Sequence, residues 1–200
     1  MSHYFQTDRT LAHSYQTVEL NMRGTQLYLK TDRGVFSRKY IDFGSRVLME
    51  NLDFEGVKSA LDMGCGYGPI GLFIAQHNPD VSVTLVDINE RAIDLAKENA
   101  KQNQIHNATI IQSNLFEHIS DTFDLVVTNP PIRAGKNIVF SIYEEAYQHL
   151  NVGGSLYVVI QKKQGAPSSV KKIETLFGSC EIVTKKNGYW ILLAKKQKSD

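Results

Sequence analysis

The sequence predicts an α/β fold: seven strands in a mostly parallel sheet, helices on both faces, an antiparallel hairpin at the C-terminal end and a short β extension at the N-terminal end. Three observations carry that prediction. From Ser59 onward, apolar stretches of strand length alternate with longer stretches of helical periodicity. Asn187-Gly188 stands between two β-rich runs, a strong hairpin signal that makes at least one strand antiparallel. The composition, 42% hydrophobic and 22% charged over 200 residues, is that of a globular chain able to bury a full core.

The elements follow in order. Val18 to Met22 and Gln26 to Lys30 alternate around Arg23-Gly24-Thr25 and read as a hairpin, followed by a turn-like segment from Asp32 to Ser37. Asp42 to Leu52 reads as a helix with Val47, Leu48 and Leu52 on one face. Ser59 to Met63 is a short strand, Ile70 to His77 a helix stopped by Asn78-Pro79, and Val81 to Val86 a β-branched strand. Glu90 to Asn103 is a helix with Ala92, Ile93, Ala96 and Ala100 spaced for burial, and Ala108 to Gln112 and Asp124 to Thr128 are strands. Val139 to Leu150 is a helix ended by Asn151-Val152-Gly153-Gly154, Ser155 to Ile160 a strand, and Ser169 to Phe177 a helix. Glu181 to Lys185 and Tyr189 to Ala194 form the last hairpin. No repeat or linker divides the chain, so one domain is expected over residues 1–200, with an N-terminal extension over 1–57 and a core over 58–200.

Several classes are excluded. No run approaches the roughly 20 apolar residues of a membrane helix, and Met1 to Gln6 show no basic region leading into an apolar run, so no signal peptide is expected. Cys65 and Cys180 have neither metal-site nor disulfide-framework spacing, and the six histidines form no ligand cluster, so a reducing cytoplasm and no metal are expected. The net charge of +1 is unevenly spread: residues 155–200 carry nine lysines and three acids, or +6, against −5 before them. That asymmetry hints at a polyanionic partner, with a solvated lysine-rich surface as the plain alternative.

Four motifs follow successive strands. Leu61-Asp62-Met63-Gly64-Cys65-Gly66-Tyr67-Gly68 leaves a strand and enters a helix. Glycines there let the backbone turn with positive φ and approach a ligand closely. The Asp-x-Gly-x-Gly-x-Gly spacing suits a nucleoside with an amino-acid tail better than a pyrophosphate; the alternative is only a tight turn. Asp87, ahead of Ile88 and 19 residues after Gly68, ends the next strand, where a carboxylate offers two acceptors to a ribose. The alternative is a helix N-cap. Ser113-Asn114-Leu115 follows the third strand and could meet an adenine edge, or serve as a turn. Asn129-Pro130-Pro131 follows the fourth. Its prolines remove two N–H donors, leaving carbonyls beside the Asn129 amide oxygen, an acceptor cluster suited to a planar –NH2 group.

With these motifs in this order, the chain resembles class I S-adenosylmethionine-dependent methyltransferases over nearly all of its length after Lys58. Gly34-Val35-Phe36-Ser37, Asp42-Phe43-Gly44-Ser45, Asn129-Pro130-Pro131-Ile132-Arg133-Ala134-Gly135-Lys136 and Gln161-Lys162-Lys163-Gln164-Gly165-Ala166-Pro167 are similar to the ribosomal RNA guanine-N2 methyltransferases of the small-subunit methyltransferase C type, in particular their short single-domain members. The resemblance implies a Rossmann-like seven-stranded fold and S-adenosylmethionine held by Asp62, Gly64, Cys65, Gly66, Gly68, Asp87, Ile88, Ser113, Asn114, Leu115 and Asn129. It also implies catalysis at Asn129, Pro130 and Pro131, and ribosomal RNA or a ribosomal subunit bound through Phe36, Ile132, Arg133, Lys136, Lys162 and Lys163. Two departures stand out: Asn114 where an acid is usual, and Ile132 where adenine-N6 methyltransferases carry an aromatic, which argues against an adenine target. Larger members carry a second, degenerate domain without a counterpart here. Rival readings are a methyltransferase for protein glutamine or a small molecule, and a non-catalytic RNA-binding assembly factor. Monomer and homodimer both stay open.

Overall fold

The computed structural model describes residues 12–198, which form two sheets. The larger holds β3 (Ser59–Met63), β4 (Ser82–Asp87), β5 (Ala108–Gln112), β6 (Phe123–Thr128), β7 (Leu150–Gln161), β8 (Glu181–Lys186) and β9 (Tyr189–Lys195). Their order is β5-β4-β3-β6-β7-β9-β8. The first five in that order run parallel, and β9 and β8 are antiparallel to their neighbours. Chain order reverses direction at β3, which has β4 on one side and β6 on the other. In open α/β sheets the crevice beyond the strand ends at such a reversal is where ligands bind.

Each face has its own core. Side chains alternate along a strand, so in β6 Leu125 and Val127 enter one core and Val126 the other. The helices α1 (Phe43–Glu50), α2 (Pro69–His77) and α3 (Glu90–Gln102) close the first core. The helices α4 (Lys136–His149) and α5 (Ala166–Phe177) close the second. The smaller sheet pairs β1 (Gln16–Met22) with β2 (Thr25–Thr31) through a tight turn at Arg23-Gly24, both at positive φ. Its inward residues Val18, Leu20, Leu27 and Leu29 join the first core. The buried Asn99 of α3 bolts it down, accepting from the Lys30 amide at 2.7 Å and donating to the Lys30 and Tyr67 carbonyls at 3.0 Å each.

The architecture matches the expected one, with local differences that have physical causes. Thr25 opens β2, opposite Met22, and is not part of the turn. Asn151 to Gly154, read as a helix stop, lies inside β7. Gly153, at φ +82°, and Gly154 form an irregularity where the ladder with β6 slips register between Phe123 and Leu125. A Cβ on Gly154 would stand 2.8 Å from the Asn151 carbonyl oxygen, so only glycine allows this approach. The α5 helix begins at Ala166, three residues before Ser169, because Gly165 at φ +110° makes the entry turn and Pro167 suits a first helical turn. Short 3-10 turns at Ile132–Ala134 and Lys162–Gln164 follow β6 and β7 directly. Among the described residues no helix is long and apolar enough to cross a membrane.

Candidate active site

The loop after β3 folds across the end of β4. The amides of Gly64 and Cys65 both donate to the Val86 carbonyl at 2.8 Å, and the Gly66 amide donates to Asp87 Oδ2 at 2.8 Å. Gly64, Gly66 and Gly68 all hold positive φ, which side-chain-bearing residues adopt only under strain. A Cβ on Gly64 or Gly66 would meet no atom of the described residues within 4 Å, so both glycines present bare backbone on that side. Gly71, in the first turn of α2, is tight instead: a Cβ there would stand 2.5 Å from Leu85 Cγ.

Two carboxylates converge on this loop. Asp62 is fully buried; its Oδ2 accepts from the Gly71 amide at 2.7 Å, while its Oδ1 has no hydrogen-bond partner among the described residues. Burial pushes the Asp62 carboxyl up to about 7, partly opposed by the Gly71 amide and reinforced by the nearby Asp87 charge. Asp87 is also held above the usual carboxylate range, by burial, despite bonds from the amides of Asn89 and Gly66. Asp87 is not the N-cap that sequence left open: Asn89 caps α3, accepting from the amides of Arg91 and Ala92. A buried acid beside a half-buried one forms a site that favours a cation.

The third loop turns sharply, with Leu115 at φ +51°. That conformation is costly for a bulky side chain and occurs where the surroundings impose it. The Ser113 hydroxyl faces inward and accepts from the His118 amide at 3.0 Å, and the Ser113 amide donates to the Asp87 carbonyl at 3.0 Å. Asn114 is exposed.

Asn129 leaves β6 beside Gly64, because Thr128 pairs with Met63 across the β3–β6 ladder. Its amide nitrogen donates to Asp42 Oδ2 and to Ser45 Oγ, both at 3.0 Å. Asp42 is the N-cap of α1 and also accepts from the Ser45 amide at 2.9 Å. Sequence reading missed both as partners of Asn129. The Asp-x-x-Ser spacing signals a helix start, but nothing in it signals a contact 87 residues away. Pro131 departs from the expected set of bare carbonyls: its oxygen accepts from the Ala134 amide at 2.9 Å, closing the 3-10 turn.

Near this strand end, Arg133 and Lys136 are exposed on the segment after β6, and Lys162 and Lys163 on the turn after β7. The Lys162 amide donates to the Gly188 carbonyl at 2.8 Å. Tyr189, the next residue, packs its ring on Phe43 at 5.6 Å. Ile132 is half-buried against the second core. Phe36 is 46% exposed and Tyr40 68% exposed, on a segment pinned by Tyr67 Oη donating to the Ser37 carbonyl and Asn89 Nδ2 donating to the Gly34 carbonyl.

A doubly flanked switch-point strand, a backbone-lined glycine turn and two neighbouring acids suit a cationic nucleoside, and S-adenosylmethionine, with its sulfonium and ammonium, has that charge. The protein is a class I S-adenosylmethionine-dependent methyltransferase. Residues 26–193 match the methyltransferase small domain, and the chain belongs to that family. It is 46% identical over 197 residues to uncharacterized protein YbxB of Bacillus subtilis (strain 168), covering 97% of this chain and 98% of that one. It is 36% identical over 166 residues to ribosomal RNA small subunit methyltransferase C of Haemophilus ducreyi, covering 80% of this chain and 49% of that one. The chain thus spans about half the length of the methyltransferase C relatives it matches. In fold it is similar to a T. thermophilus 16S rRNA N2 methyltransferase solved with AdoMet and guanosine, at TM-score 0.82 and 23% identity, covering 92% of this chain and 51% of that one.

Proposed function

We propose that the protein methylates an exocyclic amine, guanine N2 of ribosomal RNA. The observation that carries this is the Asn129 side chain beside the glycine turn, whose nitrogen is held by Asp42 and Ser45, which leaves its oxygen as the acceptor for a substrate amine. The kinship with methyltransferase C chains supports RNA as the substrate class. S-adenosylmethionine supplies a methyl group already activated on sulfur, so the protein's work is binding and orientation.

In this reading Gly64, Cys65, Gly66 and Gly68 give the amino-acid tail close backbone approach, and the Asp62 carboxylate, buried beneath the turn and bonded to the Gly71 amide, draws the ammonium through its charge. Asp87 and Ile88 hold the ribose, and Asp87 keeps lone pairs for it beyond those used by the amides of Gly66 and Asn89. Asn114 and Leu115 border the adenine; Ser113 shapes their turn through its bond from His118. A guanine amine is a poor nucleophile because its lone pair is delocalised into the ring. Asn129 Oδ1 and the Pro130 carbonyl accept its two N–H groups and favour the pyramidal form, while Pro131 holds the turn. Phe36, Tyr40 and Ile132 border the base, with Arg133, Lys136, Lys162 and Lys163 on phosphates. We read residues 1–200 as one domain, since the extension over 1–57 contributes Val18, Leu20 and Leu48 to the core built over 58–200.

Nucleoside analysis of ribosomal RNA from cells lacking the protein tests this. Loss of one N2-methylguanosine, restored by the purified enzyme, is the expected result. An unchanged set of methylated nucleosides overturns the RNA assignment.

A further inference from the structure

Both hydrogens of the Asn129 amide are engaged inside the protein, one by Asp42 Oδ2 and one by Ser45 Oγ, at 3.0 Å each. The two ends of an asparagine amide are nearly isosteric, so a free side chain could turn either its oxygen or its nitrogen to the cleft. An ionised carboxylate only accepts hydrogen bonds, so it admits the nitrogen end and repels the oxygen end. We infer that Asp42 and Ser45 are positioning residues that lock Asn129 with its oxygen outward, making the site selective for a hydrogen-bond-donating amine over an accepting carbonyl. This rests on the amine reading of the site given above.

The arrangement does more than block a rotation. A hydrogen bond to a charged acceptor is stronger than a neutral one. Bonds in a chain polarise one another, so the Asp42 charge on the nitrogen side raises the electron density of Oδ1 on the other. The support is also rigid. Asp42 Oδ2 accepts from the Ser45 amide at 2.9 Å as the cap of α1, Ser45 is buried, and a Cβ on Gly44 would stand 2.6 Å from the Tyr189 ring. The N-terminal turn of α1 is thus wedged between β9 and Asn129. The same carboxylate caps the helix and aims the amide.

Variants can separate these two roles. Asp42→Asn keeps the cap, because asparagine caps as well as aspartate; the oxygen that caps is also the one that Asn129 meets, so the variant removes the charge and leaves a neutral acceptor. Ser45→Ala deletes the second acceptor without harm to helix propensity. With ribosomal RNA from cells lacking the protein as substrate, each variant should slow single-turnover methyl transfer at least about tenfold, with cofactor affinity and melting temperature nearly unchanged. Asn129→Ala alone should slow transfer by about 10²-fold, the scale of one lost electrostatic group. In the Asn129→Ala background Asp42→Asn should then have no further effect, since the group it positions is gone. An equal loss in both backgrounds, or no loss in the native one, overturns the inference. If Asn129→Ala itself leaves the rate intact, the amine reading fails first. NMR of the free protein gives an answer independent of activity. The Asn129 side-chain NH2 should be protected from solvent exchange, and one of its two hydrogens should lose protection in Ser45→Ala; exchange as fast as an exposed amide in the native protein would sink the inference.

Discussion

Asp62 has one oxygen bound and one orphaned, and the consequence is a pH dependence whose sign is fixed by its environment. Its carboxyl is raised to about 7 in the folded chain, against about 4 for an unperturbed aspartate. Between those values the folded state binds more protons than the unfolded one, so stability without cofactor falls as pH rises from about 4 to about 7. A cationic ligand favours the ionised form and must displace the proton below that range. S-adenosylmethionine affinity should therefore drop about tenfold per pH unit below 7 and level off above it. Calorimetry at pH 6 and pH 8, in buffers of different ionisation enthalpy, checks this through the affinity and the proton released. Asp62→Asn should bind weakly and lose the pH dependence. An affinity independent of pH with no proton release would remove Asp62 from the cationic end of the ligand.

The packing of α2 on the sheet sets that carboxylate in place. Gly71 lets α2 approach β4 so closely that a Cβ would fall 2.5 Å from Leu85 Cγ and 3.0 Å from Asp62 Oδ2. Gly71→Ala should push the helix outward, costing about 1–3 kcal/mol as overpacking does and lowering the melting temperature by several degrees, on the scale of about 2–4 °C per kcal/mol for a domain of this size. It should also weaken the cofactor by stretching the Gly71–Asp62 bond; a neutral effect on both would show the helix free to shift. Such elements were legible to different degrees. The glycine turn, Asp87 and Asn129-Pro130-Pro131 stand at strand ends, where short apolar runs of strand length stop, so the succession of strands and helices located them. The full length of β7 was hidden, because Gly153-Gly154 reads as a break in one dimension and becomes a strand irregularity only against Lys196, whose carbonyl accepts from the Gly153 amide at 2.7 Å. The second role of Asp42 was hidden for the same reason: its cap is local, whereas its hold on Asn129 exists only once α1 lies across the end of β6.

Over the whole molecule, the sheet divides the C-terminal lysines between two ends. Lys162 and Lys163 follow β7 at the end that bears Asn129, and Lys185 and Lys186 pair with Trp190 and Tyr189 nearby. Ser155 pairs with Lys195 and Gln161 with Tyr189, so the chain's last lysines lie roughly 20 Å away, at the strand rise of about 3.3 Å per residue. Lys196 is moreover not a loose tail charge, since its Nζ donates to the Leu150 carbonyl at 2.8 Å and sits 5.0 Å over the Tyr147 ring. The +6 of residues 155–200 is therefore not one patch. If RNA lies across the cleft end, Lys162→Ala with Lys163→Ala should weaken its binding and flatten the log–log salt dependence by about one to two units, near 0.7 for each phosphate no longer neutralised on a single strand. Cofactor affinity should hold, because phosphate-binding lysines position the nucleic acid and take no part in the chemistry. Lys195→Ala with Lys198→Ala, both exposed at the far end, is the matched control of equal charge. Filter binding of ribosomal RNA fragments across a salt series separates the two pairs. Equal weakening by both would mean that RNA feels only the overall charge, and a larger loss from the far pair would put the RNA at the opposite end of the sheet.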